Sequence, residues 1–202
     1  NSGTGKMNEF YQNDHLSLCL RQEGKDLWGI PFKDRICGTV HTVDYFANGK
    51  LQFLFGAGSK LYLLDRLGRF VNGFPVELGK KILLGPDVYD FNGINKYNVI
   101  VLHDDKTIEM YNMKGQKPES WKGISSAETI KSLPERIIVG GKSFWVVRTS
   151  VQTQIYPFTG GEPLVDFEKD KKIRPDSEVK VIDITSVEVE CYDGKRRTVK
   201  LK

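Results

Sequence analysis

Two loops carry side chains whose types and spacing could do chemistry. One is Asp44-Tyr45-Phe46-Ala47-Asn48-Gly49-Lys50-Leu51-Gln52, and the other begins Asp90-Phe91-Asn92-Gly93 and runs on to Tyr97. An aspartate ahead of oxygen-bearing loop residues is part of a hard-cation site, which needs roughly six to eight oxygen ligands, several of them charged. Two carboxylates at equivalent positions could instead act as acid and base on a glycosidic bond. Both readings meet the same objection: Asp44 and Asp90 precede Asn-Gly turns, where aspartate readily accepts bonds from turn amides. The aromatic residues beside them point to recognition, because loops on a rigid frame can be varied for a partner. Asp44, Tyr45, Phe46, Asn48, Asp90, Asn92 and Tyr97 are therefore the candidate ligand-binding residues, with no catalytic residue, metal ligand or cofactor assigned.

Other reactive types lack the spacing their chemistry requires. His15, His41 and His103 stand apart from one another and from the cysteines, so no metal-ligand pattern forms. Cys19, Cys37 and Cys191 are an odd number without metal spacing, and Cys19 and Cys191 fall at apolar strand positions as small hydrophobes. No Gly-x-Ser-x-Gly elbow occurs, and Gly58-Ser59 reads as a hairpin turn. Asn1 to Lys6, NSGTGK, lacks both the spacing and the preceding strand of a phosphate loop and reads as a flexible lead-in. A net charge of +4 with scattered basic residues is not a nucleic-acid footprint, and Lys195-Arg196-Arg197 reads as a solvated turn. No apolar run approaches the roughly 18–20 residues of a membrane helix. The chain begins at Asn1 rather than Met, which reads as a trimmed product.

The elements that position these loops repeat along the chain. Leu61 to Val76, LYLLDRLGRFVNGFPV, alternates, turns at Asp65-Arg66-Leu67-Gly68 and extends again, the pattern of a hairpin. Apolar strands ending in turn glycines recur at Gly24, Gly68, Gly115, Gly160 and Gly194, at spacings of 68 − 24 = 44, 115 − 68 = 47, 160 − 115 = 45 and 194 − 160 = 34. Ahead of two of them, Gly38–Phe55 matches Gly85–Leu102, with Asp44 against Asp90, Lys50 against Lys96 and Gln52 against Asn98. A period of about 40–50 residues with four short strands per unit is that of β-propeller blades, whose sheets bury their faces on one another.

Expected strands are near 9–12, 16–20 and 27–32 in the first unit, and 38–43, 51–55, 60–64 and 70–76 in the second. The third unit is complete. The fourth has 136–139, 143–148, 153–157 and 164–167, with a hairpin signal at Gly140-Gly141. The fifth has 178–183, 187–192 and 197–201, after the charged connector EKDKKIRPD. SSAETIKSL, Ser125 to Leu133, is at most a loop or single turn before Pro134. Trp145 is expected in the core; Trp28 and Trp121 fall on outer strands, where a propeller's rim can expose one face, with packing between blades the favoured reading for most of these aromatics.

Asp44, Asn48-Gly49, Leu61-Tyr62-Leu63-Leu64-Asp65, Gly68 and Gly73-Phe74-Pro75 match the repeat frame of FG-GAP and PQQ-like (quinoprotein-type) β-propellers, which this chain resembles. Over nearly its full length it is also similar to the C-terminal part of long propeller-containing proteins of Bacteroidota, a resemblance that carries no assigned activity. Some FG-GAP repeats bind calcium through an Asp-rich loop. Here Phe46, Asn48 and Gln52 stand where that loop has carboxylates, so the resemblance implies no calcium. It implies a quinone only with the enzyme's calcium and acidic base, and nothing here supplies them.

The sequence thus reads as an all-β, β-propeller-type fold of about five four-stranded repeats, an incomplete or open ring, with residues 7–202 forming one repeat domain. The function expected is a non-catalytic scaffold or protein–protein interaction domain in a larger envelope or secreted protein. The partner is another protein or neighbouring domains; the alternative is a carbohydrate-binding or glycosidase-like five-bladed propeller.

Overall fold

A computed structural model describes residues 7–168 and 171–201. The expected lead-in over 1–6 lies outside the described residues, as do Lys169 and Asp170 of the charged connector. Seventeen strands form five antiparallel sheets, and no α-helix occurs among the described residues. The first sheet is β1 (Asn8–Gln12), β2 (Leu18–Gln22) and β3 (Lys25–Ile30). The second is β4 (His41–Val43), β5 (Gln52–Ala57), β6 (Lys60–Leu64) and β7 (Val76–Glu77). The third is β8 (Ile82–Tyr89), β9 (Asn98–His103), β10 (Thr107–Asn112) and β11 (Ile124–Ser125). The fourth is β12 (Glu135–Val139), β13 (Lys142–Arg148) and β14 (Thr153–Pro157), and the fifth is β15 (Lys180–Val181), β16 (Ser186–Glu190) and β17 (Arg196–Lys200). The chain falls into two compact units, one reaching Asp104 and adding Tyr111–Gln116, the other comprising Asp105–Met110 and the chain from Lys117 onward.

Strand alternation explains the packing of the first unit. Successive side chains of a strand face opposite ways, and β6 has apolar residues on both sides. Leu61 and Leu63 join Leu54, Val43, Val99 and Val101 in one core between the second and third sheets. Tyr62 and Leu64 join Phe55, Ala57 and Leu18 in another core between the first and second. Phe10 stacks on Phe53 at 4.8 Å, and Phe55 on Tyr62 at 5.4 Å. In the second unit, Val139, Phe144 and Ile155 of the fourth sheet pack with Val187, Val189 and Val199 of the fifth.

A backbone stitch joins the second and third sheets. Cys37 N–H donates to the Gly56 carbonyl at 2.8 Å, and Gly85 N–H donates to the Cys37 carbonyl at 2.6 Å. Gly85 lies at a bulge of β8 with φ +121°, and a Cβ there would sit 3.0 Å from the Ile100 carbonyl oxygen. Glycine is the residue that meets both demands.

The structure also sets the phase of the repeats. Ile36, Ile82, Ile130 and Ile173 each pair with the far end of a second strand, at Ala57, His103, Thr149 and Cys191. Their spacings are even: 82 − 36 = 46, 130 − 82 = 48 and 173 − 130 = 43. β15, β16 and β17 are therefore first, second and third strands, and Gly194 corresponds to Gly58 between the second and third strands rather than to Gly68. The short spacing of 34 in the glycine series arises from that one-strand offset. The first sheet, whose Gly24 precedes Ile36 as Gly68 precedes Ile82, holds second, third and fourth strands.

Two expected strands differ. Over 70–76 only Phe70 bridges to Leu64, after which Phe74 N–H turns back to the Val71 carbonyl and Pro75 offers no donor; pairing resumes at β7. Over 164–167 a single bond remains, Leu164 N–H to the Ile155 carbonyl. Just ahead of it, Gly161 N–H donates to the Gly123 carbonyl, and Pro163 has no N–H to pair. Residues 125–133 form no helical turn, and Ile130 there bridges to Thr149.

These packings separate core from surface leucines. Leu63→Ala, at a fully buried position, is expected to lower stability by about 2–5 kcal/mol, while Leu67→Ala, at an exposed turn, stays within about 0.5 kcal/mol. Gly85→Ala is expected to cost more than about 1 kcal/mol, since alanine is incompatible with its φ. Urea unfolding midpoints of the three variants check the order, and a Gly85→Ala protein as stable as the parent would contradict the stitch.

Candidate interaction surface

The two loops are built from the inside by their own polar side chains. Asp44 accepts from Asn48 N–H at 3.0 Å through Oδ1 and from Gly49 N–H at 2.8 Å through Oδ2. Asn48 Oδ1 in turn accepts from Lys50 N–H. The buried amide of Gln52 receives Tyr45 N–H at 2.9 Å and donates to the Lys50 carbonyl. Asp90 repeats the device, accepting from Ile94 N–H at 3.2 Å and Asn95 N–H at 2.8 Å. Both aspartates act as the sequence reading preferred, as ties for turn amides.

Tyr97 joins the loops. Its hydroxyl accepts from Asp44 N–H at 3.1 Å and donates to Asn95 Oδ1 at 2.9 Å. Partial burial acts to raise the Asp90 carboxyl, but the amides of Asn95, Ile94, Gly93 and Asn92 outweigh it and hold the group below the usual carboxylate range. Of the candidate residues, Asp44, Asp90 and Tyr97 thus fix the loops, and Asn48 supports them. Tyr45 is half-buried, edge-on to Phe46 at 5.2 Å and to Phe74 at 5.8 Å. Phe46 and Asn92 are exposed, each at a different loop.

The tryptophans are anchors. Trp28 is half-buried, and its indole N–H donates to the Arg66 carbonyl at 3.0 Å, pinning the β6–β7 turn. Trp121 is buried rather than exposed at a rim, in line with the packing reading: its N–H bonds Glu109 at 2.9 Å, and Lys117 pairs with the same carboxylate at 2.6 Å. A buried indole donor and a buried carboxylate satisfy one another, which is why Trp121 turns inward. Trp145 is in the core, as expected, with its N–H on the Phe158 carbonyl.

Beside the Asp44 loop runs a groove that sequence reasoning did not single out. Its larger part, about 400 Å³, has Leu20, Leu27, Leu51, Phe53 and Leu67 on its walls, with Lys50 and Arg66 at the rim. A second part of about 260 Å³ continues past Lys50, Leu51, Arg66 and Leu67 to Phe46, Asp65 and Arg69. Leu27, Leu51, Leu67 and Phe46 are 52, 45, 56 and 54% exposed, a concentration of large apolar side chains at loop and edge positions. The signal in the sequence was Leu67 itself, an apolar residue at the tip of a turn where polar residues are usual. Asp65 is already occupied by Arg69 at 2.7 Å and by the amides of Leu67 and Arg69.

The histidines are dispersed. His103 is buried with its ring nitrogens on the Lys81 carbonyl and the Tyr111 hydroxyl, His41 lies half-buried on β4, and His15 is exposed. Cys19 and Cys191 are buried, as expected, and the three thiols are free. Among the described residues no three His, Cys, Asp or Glu side chains are grouped to hold a metal, and no helix is long and apolar enough to cross a membrane.

Neither a protein-family model nor a curated protein sequence matches the chain. Solved structures do. BBS1N, from a crystal structure of its complex with ARL6DN, matches over 91% of this chain and 58% of its own, at a TM-score of 0.52 and 12% identity. BamB from Moraxella catarrhalis matches over 98% of this chain and 60% of its own, at a TM-score of 0.47 and 15% identity. In these two matches the chain spans less than two thirds of the neighbour's length. With its five small antiparallel sheets, the fold is all-β and of β-propeller type.

The loop ties have a pH signature. A carboxylate whose folded pKa is lowered stabilises the fold above its unfolded pKa of about 4, and that contribution is lost as pH falls through the folded value. Asp90→Asn is expected to melt below the parent near neutral pH, with the gap narrowing below about pH 4. Thermal melts across pH check this, and a gap that widens in acid would contradict it. Tyr97→Phe, which removes both hydroxyl bonds, is expected to cost about 1 kcal/mol and to speed amide exchange of Asp44.

Proposed function

We propose that this chain is a non-catalytic propeller scaffold that recognises another protein, within a larger envelope or secreted protein built on PQQ-like or FG-GAP-like repeats. The observation that carries the reading is the groove beside the Asp44 loop: exposed apolar side chains displayed on a frame whose loops are internally tied. A surface of this kind loses little conformational freedom on binding, which favours affinity. The structural neighbour BBS1N is seen in complex with a protein, ARL6DN, which fits this role. Phe46 is the outermost aromatic of the candidate set and serves as an anchor for a partner.

The carbohydrate alternative asks for free carboxylates beside an aromatic. Asp44 and Asp90 have both oxygens engaged by backbone amides, which counts against them as an acid–base pair. The test is a random-peptide display selection on the immobilised whole chain, run beside a glycan array. Recurrent peptide ligands are expected, with retention falling at least about tenfold for Phe46→Ser, as for a truncated hot-spot aromatic. Glycan binding without any peptide ligand would overturn the reading.

A further inference from the structure

The groove's chemistry specifies what it takes, if the recognition role proposed above holds. The exposed apolar lining is aliphatic, from Leu27, Leu51 and Leu67, while the charged lining is cationic, from Lys50 and Arg66. No acidic residue lines the larger part of the groove. The side chains of Lys50 and Arg66 have no ion pair among the described residues, and the nearest acid in the second part, Asp65, is committed to Arg69. Two cations without an ion pair beside exposed aliphatic side chains fit a ligand that brings carboxylates and aliphatic groups together.

We infer that the groove binds an extended acidic–aliphatic peptide segment of a partner protein. An extended chain sends successive side chains to opposite sides. One set of leucine-like side chains would thus descend between Leu27, Leu51 and Leu67, while the alternate aspartates or glutamates stay at the rim with Lys50 and Arg66. The backbone is already shaped to hold those cations in place. Lys50 N–H is fixed by Asn48, and the Arg66 carbonyl by the Trp28 indole. Single-stranded nucleic acid is bound through successive aromatic stacking, whereas the exposed apolar lining is mostly leucine: Phe46 is the one exposed aromatic, and Phe53 is half-buried and stacked on Phe10.

The experiment uses fluorescein-labelled synthetic peptides on the whole chain, read by anisotropy: one alternating Asp and Leu, one alternating Lys and Leu, one alternating Asp and Ser. The Asp–Leu peptide is expected to bind at least about tenfold more tightly than either other, and more weakly as salt rises. K50E/R66E should lose at least about tenfold for Asp–Leu and gain for Lys–Leu. L51S/L67S should lose binding while its urea midpoint stays at the parent value, since both positions are exposed. Equal binding of all three peptides, indifference to both double variants, or equal competition by phosphatidylserine vesicles would each overturn the inference. Display selections that return peptides of other chemistry would overturn it too while leaving the recognition role standing; the absence of any peptide ligand removes both.

Discussion

The first unit depends on a close approach of three stretches of backbone. Cys37 lies between Gly56 of β5 and Gly85 of β8, giving its N–H to one and its carbonyl to the other. Side-chain packing alone would let the second and third sheets slide, because leucine and valine faces are tolerant of small displacements. Two directed bonds at 2.8 and 2.6 Å are not. A Cβ on Gly56 would lie 3.0 Å from the Gly85 carbonyl oxygen, so both glycines are needed for the sheets to meet at this spacing. With the sheets fixed there, the β4–β5 and β8–β9 loops come within reach of one tyrosine, and Tyr97 ties them together.

The same logic of satisfied backbone explains why the loops can display apolar groups. An Asn-Gly loop held only by its ends samples many conformations, and exposed Phe46 and Leu51 would then be expected to fold back onto the nearest apolar surface. Here Asp44, Asn48 and Gln52 consume the loop's inward amides and carbonyl, leaving those side chains little freedom to retreat. The acidic residues that first looked like chemistry thus hold the loops, and the aliphatic residues beside them form the exposed lining of the groove.

Much of the fold was legible because alternation and turn glycines are local. The β5–β6 and β13–β14 hairpins lie where the pattern placed them, and all five sheets were anticipated. What was not legible was phase. Gly194 ends a strand and begins a turn just as Gly68 does, and only the pairing of Ile173 with Cys191 shows that it sits one strand earlier in its sheet. The expected strand at 164–167 keeps one backbone bond among the described residues, Leu164 to Ile155, and no local pattern signals that loss. The partner of Trp121 was not legible for a related reason, since Glu109 is twelve residues distant and no periodicity links them.

The candidate surface follows the same division. Asp44, Asp90 and Tyr97 could be picked out by residue type, and their ties are short-range. The groove could not be picked out, because Leu27, Leu51 and Leu67 come from three separate turns and strands of two sheets. The hairpin from Leu61 to Val76 shows how one stretch serves both ends. Its alternating leucines must be buried on both faces for the sheets to stack, so they can answer to no partner. Its turn is under no such constraint: Trp28 and Asp65 hold the backbone, and Arg66 and Leu67 are left outward. A repeat motif that looks purely structural in sequence therefore exposes Arg66 and Leu67 at the tip, where a tightly held turn makes a rigid surface at little cost to the fold.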